Sequence, residues 1–273
     1  MATVHGNDKN NTITGTSGGD SLFGNGGNDT ISGGGSTDYL MGGSGVDKLY
    51  GGDGNDKMNL TTGAVNYSHT NTTRELLDGG KGIDNAHIDA SGSTVDGLPT
   101  QVVNIGATGN GNYSVTLNSN SGFGSAYIAN TAGVESFTFK ADGPAVSFTG
   151  NVGGVGPSLT VSTTDKDDIF CGGGENSTVN LLGGNDKAVV SGGADTFTLG
   201  AGADTVEFTA LYNGARSGVV TDFNPNEDVI NLEGWGETLA ITEDAGGTWL
   251  KGGDDSLYLM GVHGYDSPMD FIA

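Results

Sequence analysis

Gly42-Gly43-Ser44-Gly45-Val46-Asp47-Lys48-Leu49-Tyr50 runs without a gap into Gly51-Gly52-Asp53-Gly54-Asn55-Asp56-Lys57-Met58-Asn59. Both stretches follow the pattern G-G-x-G-x-D-x-U-x, in which U is a large apolar residue. Outward from here the same nine-residue unit fills the chain back to Gly6, six copies in all. Gly24-Asn25-Gly26-Gly27-Asn28-Asp29-Thr30-Ile31-Ser32 is a further good copy, and the first, with Asn11 in the Asp slot, is the weakest. The apolar slot holds Ile13, Leu22, Ile31, Leu40, Leu49 and Met58 and is never polar, as an inward-facing position of a short strand requires.

Glycines at fixed places let the chain adopt positive φ and bend tightly, turning carbonyl oxygens toward one point. The residues after each turn then run as a short strand. If two units make one coil of eighteen residues, Asn11, Asp29 and Asp47 stack in one column and Asp20, Asp38 and Asp56 in a second. Each gap between stacked turns becomes an oxygen cage. Calcium takes six to eight oxygens at about 2.3–2.6 Å, which backbone carbonyls and Asp carboxylates supply, and four gaps suggest about four ions here. The competing reading is a flexible Gly/Asp-rich linker. A linker gives no reason for an aliphatic residue at every ninth position, although without calcium the stretch is expected to behave as one.

A second block begins near Cys171 and becomes regular at Leu181-Leu182-Gly183-Gly184-Asn185-Asp186, Val190 to Asp195 and Leu199 to Asp204. Its first-position glycines are replaced by Leu181, Val190 and Leu199, which can pack, while position four and the Asp are kept. Asp167 lies nineteen residues before Asp186, and Ser177 fills the Asp slot between them, so the first coil is expected to carry a weak or missing site. Asp222 lies eighteen residues after Asp204 and is expected one coil on in the same column, with Asp228 a second candidate after the turn Asn224-Pro225-Asn226-Glu227. A separate unit, Gly79 to His87 with Asp84 in the metal slot, is expected to resume the first roll after a surface insertion at about 60–77.

These units resemble the repeats-in-toxin (RTX) family of secreted calcium-binding proteins. The resemblance implies an all-β chain folded as a parallel β-roll, or β-helix solenoid. Two calcium-binding blocks are expected, over 1–87 and 165–232, joined over 88–164 by a calcium-free β-solenoid or a small β-sandwich. Residues 233–273 are expected to cap the roll. There Trp235, Trp249, Tyr258 and Tyr265 either close the open end or meet sugar faces, which makes a cell-surface polysaccharide a candidate partner. The ending Asp270-Phe271-Ile272-Ala273 resembles an uncleaved type I secretion signal, implying contact with that export apparatus and a secreted, extracellular or cell-surface location.

Composition points the same way. With 52 glycines, 33 acidic against 10 basic residues and a net charge of −23, the chain is a poor partner for nucleic acid. A hydrophobic fraction of 34% at that charge lies near the disordered class, so folding is expected to be coupled to calcium binding. Cys171 is the single cysteine and is expected to pack rather than react. Met1-Ala2-Thr3-Val4-His5 has no Sec-signal character, and no stretch has the length of a membrane span.

Catalytic patterns are weak. Gly15-Thr16-Ser17-Gly18-Gly19 matches G-x-S-x-G in letters but lies inside a repeat, and His5, His69, His87 and His263 are scattered. The expectation is a non-enzymatic, calcium-dependent structural protein that self-associates at the cell surface or in a matrix. The alternatives are a calcium-binding and secretion module of an RTX enzyme or adhesin, and a small secreted effector acting on host membranes or signalling.

Overall fold

The computed structural model describes residues 1–61, 66–67, 74–91, 94–95, 98–109, 112–119, 125–140, 143–150, 158–174, 176–208, 215–232 and 239–265. The described residues form strands and turns without a helix, in two compact units, Met1–Pro144 and Ala145–Ala273. The division falls inside the stretch 88–164, which the sequence alone presents as one segment.

In the first unit each nonapeptide supplies one turn and one strand, and successive strands go to alternate sheets. One parallel sheet is built from Thr3–His5, Ser21–Gly26, Tyr39–Ser44, Lys57–Thr61, Asn85–Asp89 and Ser136–Phe139. The other takes Thr12–Thr14, Thr30–Gly35, Lys48–Asp53 and Glu75–Lys81. The pairing register is twice the repeat: Leu22 stands opposite Leu40 and Ile31 opposite Leu49. Apolar residues of both sheets therefore meet in one narrow core, where Leu22, Ile31, Leu40, Leu49 and Met58 are fully buried. Each such side chain stabilises the fold by about 1.5–3 kcal/mol. A one-residue slip would turn every one of them outward, so the nine-residue phase fixes the register.

One coil is longer. Asp56 and Asp84 are 28 residues apart where Asp38 and Asp56 are 18, and the added residues fall between Lys57–Thr61 and Glu75–Lys81. Of that insertion the structure describes only the short strand Asn66–Tyr67, parallel to Thr94–Val95. After Asn85–Asp89 the chain departs from the expected solenoid. Leu98–Gly109, Asn112–Ser119 and Ser125–Ala132 form an antiparallel meander whose last strand lies parallel to Glu75–Lys81. The cause is local: no nine-residue unit supplies a crossover turn here, and Gly109 stands opposite Asn112, a connection too short for parallel pairing. Tyr113, Val115 and Leu117 alternate inward, and Tyr113 meets Phe137 edge-on at 5.1 Å.

The second unit repeats the parallel arrangement. Ala145–Thr149, Ile169–Cys171, Lys187–Val190, Thr205–Phe208 and Val229–Asn231 form one ladder. Leu159–Ser162, Ser177–Asn180, Gly193–Thr198, Arg216–Val220 and Asp255–Met260 form the other. Gly247–Gly252 and Ala240–Asp244 extend the second ladder antiparallel. Leu181, Val190 and Leu199, where glycine would stand, are fully buried, as are Phe170 and Phe197, whose rings lie 5.9 Å apart. Buried apolar residues thus take the place of first-position glycines over part of this roll.

Candidate calcium sites

Each repeat Asp closes its turn and opens its strand, and along the columns the backbone N–H at that position donates to a carboxylate one coil further on. Asn11 N donates to Asp29 Oδ1 at 2.7 Å, Asp20 N to Asp38 Oδ1 at 2.7 Å, Asp29 N to Asp47 Oδ1 at 2.7 Å, Asp38 N to Asp56 Oδ1 at 2.8 Å and Asp56 N to Asp84 Oδ1 at 2.7 Å. In the second unit Asp168, Asp186 and Asp204 donate in the same way to Asp186, Asp204 and Asp228, and Ser177 donates to Asp195. One carboxylate oxygen of each Asp is therefore part of the protein's own ladder.

The fate of the other oxygen depends on the turn. Before Asp29, Asp38, Asp47, Asp56, Asp84, Asp186 and Asp204, the second and fourth residues of the repeat both have positive φ, as at Gly43 (102°) and Gly45 (139°). All seven of these carboxylates keep a buried Oδ2 with no hydrogen-bond partner. In the other turns of Asx type, the second-position N–H swings inward. Asn7 N donates to Asn11 Oδ1 at 2.7 Å, Thr16 N to Asp20 Oδ2 at 2.6 Å, Thr164 N to Asp168 Oδ2 at 2.8 Å and Asn224 N to Asp228 Oδ2 at 2.7 Å. Across these turns, the backbone conformation at the second position separates the open ones from those closed by their own amide.

The open turns have the chemistry of a calcium site. A buried carboxylate oxygen without a partner is strongly disfavoured unless a cation accompanies it. Carbonyl oxygens face the same space: a Cβ on Gly33 would lie 2.3 Å from Asp38 Oδ2 and 2.7 Å from the Gly51 carbonyl, and one on Gly51 would lie 2.3 Å from Asp56 Oδ2 and 2.5 Å from the Gly79 carbonyl. In the first unit the first-position glycines cannot carry a side chain, because oxygens occupy its place. Among the described residues no three His, Cys, Asp or Glu side chains converge, so each site draws mainly on backbone carbonyls. All-oxygen, carbonyl-rich ligation suits calcium and not zinc.

Electrostatics agree. Burial, followed by neighbouring carboxylates in the column, raises the carboxyl groups of Asp38, Asp47 and Asp56. It brings Asp84 to about 6, Asp186 to about 7 and Asp204 to about 6. Asp20, which accepts from both N and Oγ1 of Thr16, is instead held below its ordinary value.

Several residues singled out from sequence take other places. Asp168, not Asp167, stands in the column. Asp167 lies at the surface, where its Oδ1 accepts from Asn185 N at 2.7 Å, the part played by Asn10 toward Asn28 and by Asn28 toward Val46. The adjacent acidic pair hid this, although the spacing of eighteen to Asp186 identifies Asp168. Asp228, not Asp222, follows Asp204, because that coil is longer and the two stand 24 positions apart. Asp222 accepts from the amides of Leu199 and Gly200 at 2.8 and 2.9 Å, pinning the turn that precedes Asp204. Asp195 accepts from Ser177 N, but its strand partner on the next coil is Gly218, so that column has no further carboxylate.

Two glutamates were missed. Glu75 precedes Leu76, the partner of Lys48, and so continues the column of Asp47; burial and the Asp47 charge raise its carboxyl well above the ordinary range. Glu135 follows Asp84 and accepts from Asp84 N at 3.0 Å. Insertions displace both from the eighteen-residue spacing. Of the C-terminal aromatics, Trp249 and Tyr258 pack 4.4 Å apart and both donate to the Asp244 carboxylate, while Trp235 and residues 266–273 lie outside the described residues. The Gly15–Gly19 segment is a turn between Thr12–Thr14 and Ser21–Gly26, not the strand-to-helix elbow of a nucleophile.

Residues 5–40, 32–64 and 180–208 match the family model described as the RTX calcium-binding nonapeptide repeat (4 copies). No curated protein matches the chain. Among solved structures, the extracellular lipase LipA from Serratia marcescens is similar at 18% identity and a TM-score of 0.25, over 94% of this chain and 40% of the lipase, so the chain spans less than half of that protein's length.

Proposed function

The chain is an RTX calcium-binding nonapeptide-repeat protein, and on that premise we propose that it is a secreted structural protein that folds when it meets calcium outside the cell and then associates with copies of itself at the cell surface or in a matrix. The observation that carries the first part is the set of seven buried, unpartnered Asp oxygens set against backbone carbonyls. A chain of net charge −23 that stacks carboxylates in columns is self-repelling until cations fill them. Calcium is scarce in the cytosol and near-millimolar outside, the range of extracellular calcium modules, so export unfolded and folding on arrival follow from the same chemistry.

Self-association is supported by unequal edges. Among the described residues, the outermost strands of the first unit, Thr3–His5 and Thr12–Thr14, each have one partner, an edge that pairs readily. The outer strand of the second unit, Ala240–Asp244, carries exposed Glu243 and Asp244, a charged ending that discourages pairing. No catalytic role is assigned: the repeat carboxylates serve the ladder and the ions.

The test is electron microscopy with size analysis before and after calcium is raised to about millimolar levels. Ordered sheets or filaments that need calcium support the proposal. Compact monomers throughout would reject self-assembly and favour an effector or a carrier module of a larger protein.

A further inference from the structure

Three features lie outside the matched repeats and reach a carboxylate: the Asp244 cluster with Trp249 and Tyr258, buried Glu75, and the turn at Gly133–Glu135. The first is satisfied within itself, since Asp244 accepts from Gly246 N, Trp249 Nε1 and Tyr258 Oη. At the second, the turn that would face Glu75 lies outside the described residues. The third is complete.

Asp84 is fully buried, and its Oδ2 has no hydrogen-bond partner. In the two preceding turns of this column, the first-position glycine faces the Asp Oδ2 of its own turn and the carbonyl of the next turn: Gly33 with Asp38 and Gly51, then Gly51 with Asp56 and Gly79. Gly79 continues the series with an oxygen from outside the repeats. A Cβ there would lie 2.5 Å from Asp84 Oδ2 and 2.1 Å from the Gly133 carbonyl. Gly133 is opposite Gly79 because Ala132 pairs with Asp78, and its φ of 56° is positive, unlike that of the first-position glycines before it.

The covering turn is short. Where Gly79 to Asp84 spans six residues, Gly133, Val134 and Glu135 span three before the strand Ser136–Phe139 begins. Glu135 nevertheless supplies the ladder contact that an Asp supplies elsewhere, its Oε2 accepting from Asp84 N at 3.0 Å while Glu135 N and Ser136 N donate to the Asp84 carbonyl at 3.2 and 2.9 Å. Glutamate is one methylene longer than aspartate, which suits a carboxylate that must reach across a shortened turn.

We propose that Gly133–Val134–Glu135 completes a calcium site with Gly79–Asp84, so that one ion fastens the strand returning from the antiparallel meander onto the last repeat of the first roll. The inference rests on calcium binding by the repeats and deepens it: the ion's second half-site comes from a segment with no nonapeptide, and docking of Ser136–Phe139 becomes calcium-dependent.

Native mass spectrometry with calcium counts the ions, and hydrogen exchange in the full chain follows the amides of residues 135–139. Glu135→Gln and Asp84→Asn are each expected to hold one ion fewer than wild type, and the double variant no fewer than either single one. In wild type, protection of 135–139 is expected to rise with calcium in step with that of 79–84, a measurement that does not require any variant to fold. Unchanged ion count in Glu135→Gln, or protection of 135–139 that ignores calcium, overturns the inference. Wild type that holds no calcium at all would instead overturn the premise that the repeats bind it.

Discussion

At the scale of single residues, the second position of a repeat separates an open carboxylate from a closed one, as two neighbouring turns show. Asp20 and Asp38 are neighbours in one column and share the same ladder bond, yet Thr16 closes the first turn and Gly34, with φ of 109°, leaves the second open. Asp38→Asn is therefore expected to remove one bound calcium, whereas Asp20→Asn leaves the count unchanged; equal losses in native mass spectra would reject the distinction. Gly43→Ala should destabilise the calcium-loaded fold by about 1–2 kcal/mol from its left-handed backbone alone, and more because the new methyl would lie 2.1 Å from the Asn25 carbonyl oxygen. Chemical denaturation at saturating calcium measures this. Titration supplies a third expectation. Without calcium, the folded-state values of Asp84, Asp186 and Asp204, about 6, 7 and 6, lie above the ordinary 3.8, so the folded chain holds more protons than the unfolded one. Their contribution to the calcium-free fold is fullest below the unfolded value and is lost as pH rises through about 6 to 7. Calcium needs the charged carboxylates, and between about pH 7.5 and about 5.5 the unfolded chain and the calcium-loaded fold both hold them charged, so the calcium midpoint of folding should stay level there and rise only as pH falls toward the unfolded value of 3.8. A midpoint that already climbs across that window would show that protons leave the chain on calcium-coupled folding, against carboxylates that are charged in both states. Much of this was legible in the phase of the sequence, but Asp167 and Asp168 show its limit: with two acids side by side, only counting back eighteen from Asp186 separates a surface ladder residue from a column residue.

At the scale of strands, the parallel ladders were readable and the two meanders were not. A period of nine states where a strand begins and which residue faces inward, since Leu22, Leu40 and Met58 must stack. An alternating run such as Tyr113-Ser114-Val115-Thr116-Leu117 states only that a strand forms, because alternation is identical for parallel and antiparallel pairing. Direction came instead from connections too short for a crossover, as between Leu98–Gly109 and Asn112–Ser119. The C-terminal meander is tied to the parallel ladder by Arg216 and Asp255, whose guanidinium and carboxylate form a largely buried pair, with side chains 8% and 12% exposed. The Arg216 amide also donates to Asp255 Oδ1 at 2.9 Å, and its guanidinium lies 5.5 Å from the Phe208 ring. Asp255→Ala leaves a buried cation without its partner and is expected to destabilise this unit by about 3–5 kcal/mol. The loss should appear as faster hydrogen exchange in Arg216–Val220 and Asp255–Met260, with the ladders around Asp29 and Asp47 unchanged. A loss below about 1 kcal/mol would mean that water reaches the pair and screens it like a surface one.

At the scale of the whole chain, calcium has two separable effects, and a salt experiment distinguishes them. The first is neutralisation of a chain with net charge −23. Any electrolyte achieves part of this, since about 1 M salt shortens the screening length to about 3 Å. The second is coordination: the unpartnered oxygens of seven carboxylates and the carbonyls stacked against them need a hard cation at bonding distance, which diffuse monovalent ions do not provide. If screening were the controlling effect, concentrated sodium chloride with a chelator would restore the β-signal in far-UV circular dichroism. The buried positions of Asp38, Asp47 and Asp56, side by side along their columns and shielded from solvent, make coordination the controlling effect. The expected result is a disordered spectrum in chelator at every sodium chloride concentration up to about 1 M, and a β-spectrum at about millimolar calcium in low salt. Size should change in parallel, because an unfolded chain of this length has a radius of gyration of about 58 Å and either compact unit alone is far smaller. A β-spectrum produced by salt alone would leave calcium as a counterion only and remove the reason for exact phase among the aspartates.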